Sequence, residues 1–382
     1  MTHIPSLHLS TSLLSRIPAY VRDFEPYRPI RPDQELMRFY GLSQLHRLHN
    51  NENLLGPPPA ALEAIARFDG HEAALYPSGD AYYLCRALAA RFDKTPDQFL
   101  PGNGSCEIIP NLVRAFCEPG DNIVAPEKTF AVYEWSGLCA GVEVRLAALH
   151  DAFNGADVLT LLDAVDHRTK LLFLCNPNNP TGASWPRDAL VRLLDGLAGR
   201  CIVVLDEAYA EYVEDPDYVT GLDLMESSPH VLVLRTFSKI YGLSGLRVGY
   251  ACAAAGLLDV ARRTSLVYSV NRLAQAAAVA ALEDDSGHLQ RSRDMVSAAK
   301  VALRRRLDNL GLEYLCGQGN FMMLRAPLPD TLLARRLLAR GFLVRAMTEF
   351  RSPNWVRVAM APAAIMDSFV DALEEIVITL SR

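Results

Sequence analysis

Val231-Leu232-Val233-Leu234-Arg235-Thr236-Phe237-Ser238-Lys239 is the stretch that decides the fold. Its first four residues are a continuous apolar run with two β-branched members, the pattern of a strand buried on both faces, and the chain then turns polar and reaches a lysine. Open α/β sheets bind ligands beyond the carboxyl ends of such strands, so Lys239 stands where a ligand is expected. Two upstream stretches repeat the layout. Cys201-Ile202-Val203-Val204-Leu205 runs into Asp206-Glu207-Ala208-Tyr209, and Leu171-Leu172-Phe173-Leu174-Cys175 runs into Asn176-Pro177-Asn178-Asn179-Pro180-Thr181-Gly182. Three strands therefore deliver an amine, an acid with a phenol, and an amide to one sheet edge.

Working outward, helical and strand patterns alternate from about residue 60 to about residue 250: helices at 60–68, 80–92 and 105–117, a strand at 122–125, a helix at 130–140, a strand at 143–147 and a helix at 158–165. Alternation of this kind implies a mostly parallel sheet with helices on both faces. Residues 273–283 and 287–310 read as helices leading into a smaller α+β unit, with strands at 320–324, 342–345 and 355–359 and helices at 330–340 and 364–380. The expected organisation is an N-terminal arm at 1–21, a small α+β domain formed by 22–45 with 270–382, and a large α/β domain at 46–269. Prolines 26, 29 and 32 favour extended backbone crossing a surface.

A chain of 382 residues, half of them hydrophobic, can bury the cores of two domains. The formal charge is −6 with no long run of either sign, which is no electrostatic footprint for nucleic acid. The eight cysteines lack the short paired spacings of a zinc site or a disulfide framework and read mostly as reduced, buried fillers. His46 and His49 have no matching acids or cysteines beside them, so no metal is expected. No apolar stretch reaches the length of a membrane span, and Met1-Thr2-His3-Ile4-Pro5 lacks a basic n-region, so the expectation is a cytoplasmic protein with no membrane partner.

The amine, acid, phenol and amide are the groups needed to hold and polarise a pyridoxal ring, whose aldehyde condenses with a lysine and whose ring nitrogen needs an acidic partner. The segments that surround them complete a pattern: Asn51-Glu52-Asn53 with Gly56, Tyr76-Pro77, Gly102-Asn103-Gly104-Ser105, Asn178-Asn179-Pro180-Thr181-Gly182, Asp206-Glu207-Ala208-Tyr209, Thr236-Phe237-Ser238-Lys239 and Gly245-Leu246-Arg247-Val248-Gly249. From about Arg22 to its end, the chain resembles the fold-type I, pyridoxal-phosphate-dependent aminotransferases, and most of all the histidinol-phosphate aminotransferase family.

That resemblance implies roles. Lys239 would carry the cofactor and later move a proton, Asp206 would face the ring nitrogen, Tyr209 and Asn179 would hydrogen-bond the ring oxygen O3′, and Tyr133 would stack on the ring. The phosphate would lie at the start of the helix opened by Ser105 and Cys106, among Thr236, Ser238 and Arg247. Cys106 stands where the family often has an acid and would serve only through its backbone N–H. Tyr76 would reach the neighbour's cofactor phosphate in a homodimer with shared active sites. Arg357, Arg345, Tyr27, Asn51 and Asn53 would receive a small amino or oxo substrate bearing a remote anion, with Leu54 standing where the family commonly has proline. Plainer readings stand beside these: Asp206 as a helix cap, Asn179 as a turn former, Tyr133 as helix core, Tyr76 as a turn residue, and Arg345 and Arg357 as solvated edge-strand residues. The implied reaction moves an amino group between glutamate/2-oxoglutarate and histidinol phosphate or its oxo form, with aromatic amino acids as further candidates. A phosphothreonine-type decarboxylase is the alternative, since it shares these residues.

Overall fold

A computed structural model describes residues 11–22, 24, 29–148 and 157–380. A two-residue strand, β1 (His46–Arg47), precedes the main sheet, which comprises β2 (Phe99–Gly102), β3 (Asn122–Pro126), β4 (Glu143–Ala147), β5 (Thr169–Cys175), β6 (Ile202–Asp206), β7 (Val231–Thr236) and β8 (Gly249–Ala253). Their order is β2-β8-β7-β6-β5-β3-β4, with β8 running against the other six. Cys175, Asp206 and Leu234 are register partners, so the polar segments after β5, β6 and β7 leave the sheet side by side.

Both faces of this sheet are covered, which is why its central strands tolerate apolar residues at every position. Leu172, Leu174, Val203, Leu205, Val231 and Val233 point to one face and join the core that includes helices 82–92, 187–197 and 272–283. Leu171, Phe173, Val204, Leu232 and Leu234 alternate to the other face, against Ile108, Ile109, Leu112 and Val113 of helix Ser105–Phe116 and Leu258 and Ala261 of helix Ala255–Arg262. The fold-type I architecture expected from the sequence is the one observed.

A second, antiparallel sheet contains β9 (Tyr314–Leu315), β10 (Phe321–Arg325), β12 (Arg345–Ala346) and β13 (Trp355–Ala359) in the order β12-β13-β10-β9, while β11 (Phe342–Leu343) pairs in parallel with β1. The single strand expected at 342–345 is thus two, divided at Val344: its first half holds the segment before Asn51, and its second places Arg345 opposite Arg357. Strands β2, β8 and β9 were not expected. β2 ends in Pro101-Gly102, residues that argue against a central strand, and it lies at the sheet edge where proline is tolerated.

Helix Ser105–Phe116 runs unbroken through Pro110. The helix expected from residue 130 begins at Val132, leaving Phe130 and Ala131 in the preceding turn. A helix at Asp33–Tyr40 comes directly after Pro32. Within the arm, residues 11–14 and 19–22 form short helical turns, while 1–10 lie outside the described residues, as does part of the proline segment. Among the described residues no helix is long and apolar enough to cross a membrane, and no cluster of His, Cys, Asp or Glu is arranged to hold a metal. All eight cysteines are unpaired. Cys85, Cys175, Cys201 and Cys252 are buried, whereas Cys106, Cys139 and Cys316 are exposed.

Candidate active site

The strand ends open onto a cavity of about 460 Å³ lined by Asp206, Tyr209, Asn179, Lys239, Ser105, Cys106, Thr236, Ser238 and Arg247 on one side and by Arg345, Arg357 and Asn51 on the other. Asp206, the last residue of β6, is 2% exposed. Its Oδ2 accepts a hydrogen bond from the Tyr133 hydroxyl at 2.8 Å and its Oδ1 one from the Ala208 N–H at 3.2 Å. Burial pushes its pKa up to about 6 against the opposing pull of those two donors. A carboxylate so enclosed gains most from a cationic partner, and a protonated ring nitrogen is one.

Lys239 lies just past β7 and donates from Nζ to the Asn50 carbonyl at 2.8 Å. Burial, helped by the nearby Arg357 charge, lowers its pKa to about 8, so about a tenth of the amine is uncharged at pH 7, far more than for a solvated lysine. The Tyr209 ring centre lies 5.5 Å from Nζ, and the Tyr209 hydroxyl accepts a hydrogen bond from Asn51 Nδ2 at 3.0 Å. Burial keeps that phenol protonated, far above its usual range.

An anion cradle lies at the other end of the cavity. The turn Gly102-Asn103-Gly104 delivers the chain into helix Ser105–Phe116, where the first N–H groups, Ser105 and Cys106 among them, have no intrahelical acceptor and face the positive end of the helix dipole. Arg247 closes the cradle, donating from Nη1 to Ser238 Oγ at 3.3 Å and to the Ser244 carbonyl at 2.9 Å. Gly104 has a φ of +76°, and a Cβ there would collide with the Arg247 guanidinium. Likewise, a Cβ on Gly249 would come within 2.7 Å of the Ser105 nitrogen. Gly104 leaves room for the arginine at the helix end, and Gly249 lets β8 pass against the helix's first N–H. The buried acid, the lysine and the cradle together fit pyridoxal phosphate: a carboxylate for its nitrogen, an amine for its aldehyde, and a donor-lined recess for its phosphate. The Cys106 side chain opens onto the cavity and is exposed by area, yet the protein packed around its sulfur and the nearby Asp206 charge raise its pKa, which keeps the thiol protonated.

On the opposite wall, Arg357 is 8% exposed and faces Arg345 across the β12–β13 pair. Its guanidinium donates to Asn179 Oδ1 and, at 2.7 Å, to the His49 carbonyl, with Phe321 beneath it. Burial and the neighbouring Arg345 charge lower its pKa to about 10, partly offset by Tyr209. Arg345 donates to Asn50 Oδ1 at 2.9 Å and covers the Phe350 ring. Neither arginine has a carboxylate partner among the described residues.

Several sequence expectations need correction. Tyr133 does not line the cavity: it is fully buried, stacked on Phe173 at 4.9 Å, and it reaches the site only through its hydroxyl on Asp206. Of the two rings it is Phe130 that lines the cavity, because the helix starts two residues later than expected and leaves Phe130 in the turn. Asn53 is also outside the cavity, donating to the Ile240 carbonyl and to Ser292 Oγ and so fastening the backbone behind Lys239. Tyr76, expected at the neighbour's phosphate and so not in this chain's own cavity, is 79% exposed and stacked on Tyr268. Tyr27 lies outside the described residues. Sequence reasoning missed Arg47, Glu52, Trp135, Met347 and Phe350, all of which line the cavity. Arg47 sits in a histidine-flanked run that was read only for metal; its pairing with Glu52 at 3.0 Å and with Asp33 at 3.4 Å has no local signal except the Arg-to-Glu spacing.

Residues 43–373 match the family described as aminotransferase class I and II. Histidinol-phosphate aminotransferase 2 of Methylococcus capsulatus is 37% identical over 362 residues, covering 94% of this chain and 97% of its own. The protein of the same name from Pseudomonas aeruginosa is 38% identical over 358 residues, with 93% and 96% covered. The crystal structure of histidinol-phosphate aminotransferase from Sinorhizobium meliloti in complex with pyridoxal-5'-phosphate aligns with a TM-score of 0.84 at 27% identity, over 97% of this chain and 100% of that one. The chain belongs to the aminotransferase class I and II family and is a pyridoxal-phosphate-dependent aminotransferase of fold type I.

Proposed function

We propose that this enzyme transfers the amino group of histidinol phosphate to 2-oxoglutarate and runs the reverse with glutamate. The observation that carries the reading is the Arg345–Arg357 pair, two cations side by side at the cavity wall with no acid to neutralise them among the described residues. A substrate anion remote from the amine completes that charge balance, through the bidentate geometry guanidinium groups offer. The names of the relatives point to the same amine.

Pyridoxal phosphate, when bound, supplies an aldehyde that captures the amine and a ring that takes up electrons released at its carbon. Lys239 holds the cofactor and then moves a proton at the substrate Cα. Asp206 keeps the ring nitrogen protonated, and Tyr133 positions Asp206. Tyr209 and Asn179 orient the ring oxygen. Ser105, the Cys106 N–H, Thr236, Ser238 and Arg247 hold the phosphate, while Asn51, Arg345, Arg357 and Tyr27 receive the substrate.

The proposed organisation is an arm at 1–21, a large domain at 46–269 and a small domain of 22–45 with 270–382. The protein acts in the cytoplasm as a homodimer, Tyr76 completing the partner's phosphate site. Tyr76, Tyr83, Leu266 and Val267 are large hydrophobic side chains left exposed, the kind of residue such a contact would cover.

The test supplies holoenzyme and 2-oxoglutarate with histidinol phosphate, phenylalanine or phosphothreonine, and monitors glutamate and carbon dioxide. Glutamate from histidinol phosphate, with a kcat/KM about 10²-fold above phenylalanine, is expected. Carbon dioxide from phosphothreonine without glutamate would replace the transferase reading by a decarboxylase.

A further inference from the structure

Helix Val132–Ala140, packed on the main sheet, and the turn Thr348–Phe350 just past β12 approach each other at the mouth of the cavity. They are joined by one ion pair. Arg351 Nη1 and Nη2 donate to Glu134 Oε2 and Oε1 at 2.7 and 2.8 Å, a two-pronged contact between residues 217 positions apart in the chain. The neighbour of each partner is an aromatic wall residue: Trp135 comes after Glu134 and Phe350 precedes Arg351. Both rings line the active-site cavity and also a second cavity of about 510 Å³ that adjoins it, whose wall includes Glu134 and Arg351 themselves. Phe350 in turn lies under the Arg345 guanidinium, 5.8 Å from its ring centre.

We propose that the Glu134–Arg351 pair is a clasp that holds Trp135 and Phe350 at a fixed separation across the cavity mouth, and so makes these two charged residues determinants of which amine side chain is admitted. They are positioning residues; neither lines the cavity that holds Lys239 and Asp206. Three features carry the inference. The planar guanidinium meets the carboxylate with both nitrogens, which fixes orientation as well as distance. Glu134 is only 21% exposed at its side chain, so its charge is less screened than in a freely solvated pair. Arg351 adopts a φ of +54°, a conformation a non-glycine residue holds when its surroundings fix it. Without the pair, the link between Glu134 and Arg351 that spans the two elements is lost, and the mouth would accept larger side chains while gripping small ones less well.

The proposal rests on histidinol phosphate being a substrate, so wild-type turnover of that amine is measured first. Selectivity is then read as the ratio of kcat/KM for histidinol phosphate to that for its bulkier indole counterpart, tryptophanol phosphate. Glu134→Ala and Arg351→Ala should each lower the ratio about fivefold, chiefly through KM, the scale of a well-formed surface pair. The exchanged pair, Glu134→Arg with Arg351→Glu, should recover most of it, as a double-mutant cycle demands of a direct interaction. The visible band of the Lys239-bound cofactor, unchanged in all three variants, checks that the cavity is intact. A ratio unaltered in the single variants, or an exchanged pair as poor as either single one, overturns the clasp. Absence of wild-type turnover with histidinol phosphate overturns the reading beneath it, and the clasp with it.

Discussion

The two walls of the active-site cavity treat charge differently. At the carboxyl edge of the main sheet the buried Asp206 receives hydrogen bonds from Tyr133 and Ala208, and its register with Cys175 and Leu234 fixes where it points. At the antiparallel sheet, Arg357 lies beside Arg345, its Nε buried without an acceptor and no carboxylate in reach among the described residues. One wall is assembled by the protein alone and suits a resident group. The other is left cationic and is completed by whatever anion arrives, as expected for a group that must be exchanged in every turnover. A lesion on the first wall should therefore damage chemistry, and a lesion on the second should damage binding.

The largest effect is expected at Lys239. Lys239→Ala should abolish turnover and remove the visible band of the lysine-bound cofactor, and mixed dimers sharpen the point. Lys239→Ala protein combined with Tyr76→Ala protein should regain activity, because one site of each mixed dimer then holds an intact lysine and an intact partner tyrosine. No regain would place Tyr76 outside the partner's site.

Next, Asp206→Asn should retain cofactor but lower kcat by about 10²- to 10³-fold, the loss of a buried charge pair. KM should change far less. A KM effect as large as the kcat effect would dissolve the distinction between the walls.

Arg357→Gln should show the opposite signature, raising KM for phosphorylated amine by about 10²-fold while leaving cofactor affinity within a few-fold. Equal losses in both would mean that the arginine supports the fold rather than receives substrate.

Tyr133→Phe is expected to be milder, costing about tenfold in kcat through one lost hydrogen bond to a charged group. Its pH signature is more specific. Asp206 titrates near 6 in the folded protein, above its ordinary value of 3.8, so its contribution to apoprotein stability is complete below the unfolded value and is lost as pH rises through the folded one. Removing the Tyr133 donor raises the folded value further and should extend that loss above pH 6, whereas Asp206→Asn should flatten it. Denaturant melts of apoprotein across this range check both.

The strand-end chemistry was legible because it is local. Apolar runs ending in Asp206 and Lys239 announce buried strands and the polar residues at their carboxyl ends, and sheet pairing merely sets them side by side. The opposite wall was legible only in part. Arg345 and Arg357 could be named from their strands, yet their apposition depends on a break at Val344 that no local pattern marks. Phe130 and Tyr133 could not be told apart while the helix start was uncertain by two residues, and those two residues decide which ring meets the cavity. Asn51 and Asn53 would share a face of extended chain. The left-handed backbone at Asn51, φ +57°, breaks that alternation and sends Asn53 to Ile240 and Ser292 instead. Arg47 and Glu52 were overlooked because their place at the cavity comes from β1 pairing with a strand nearly 300 residues later.

The most direct test of amino transfer through Lys239 is a single-turnover titration. Holoenzyme is mixed with histidinol phosphate in the absence of any oxo acid, and the visible band is recorded over time. The account predicts one-for-one replacement of the lysine-bound band by that of the amine form of the cofactor, full return of the band on adding 2-oxoglutarate, and neither change in Lys239→Ala. A band that persists with histidinol phosphate, or that changes only with release of carbon dioxide, would contradict it.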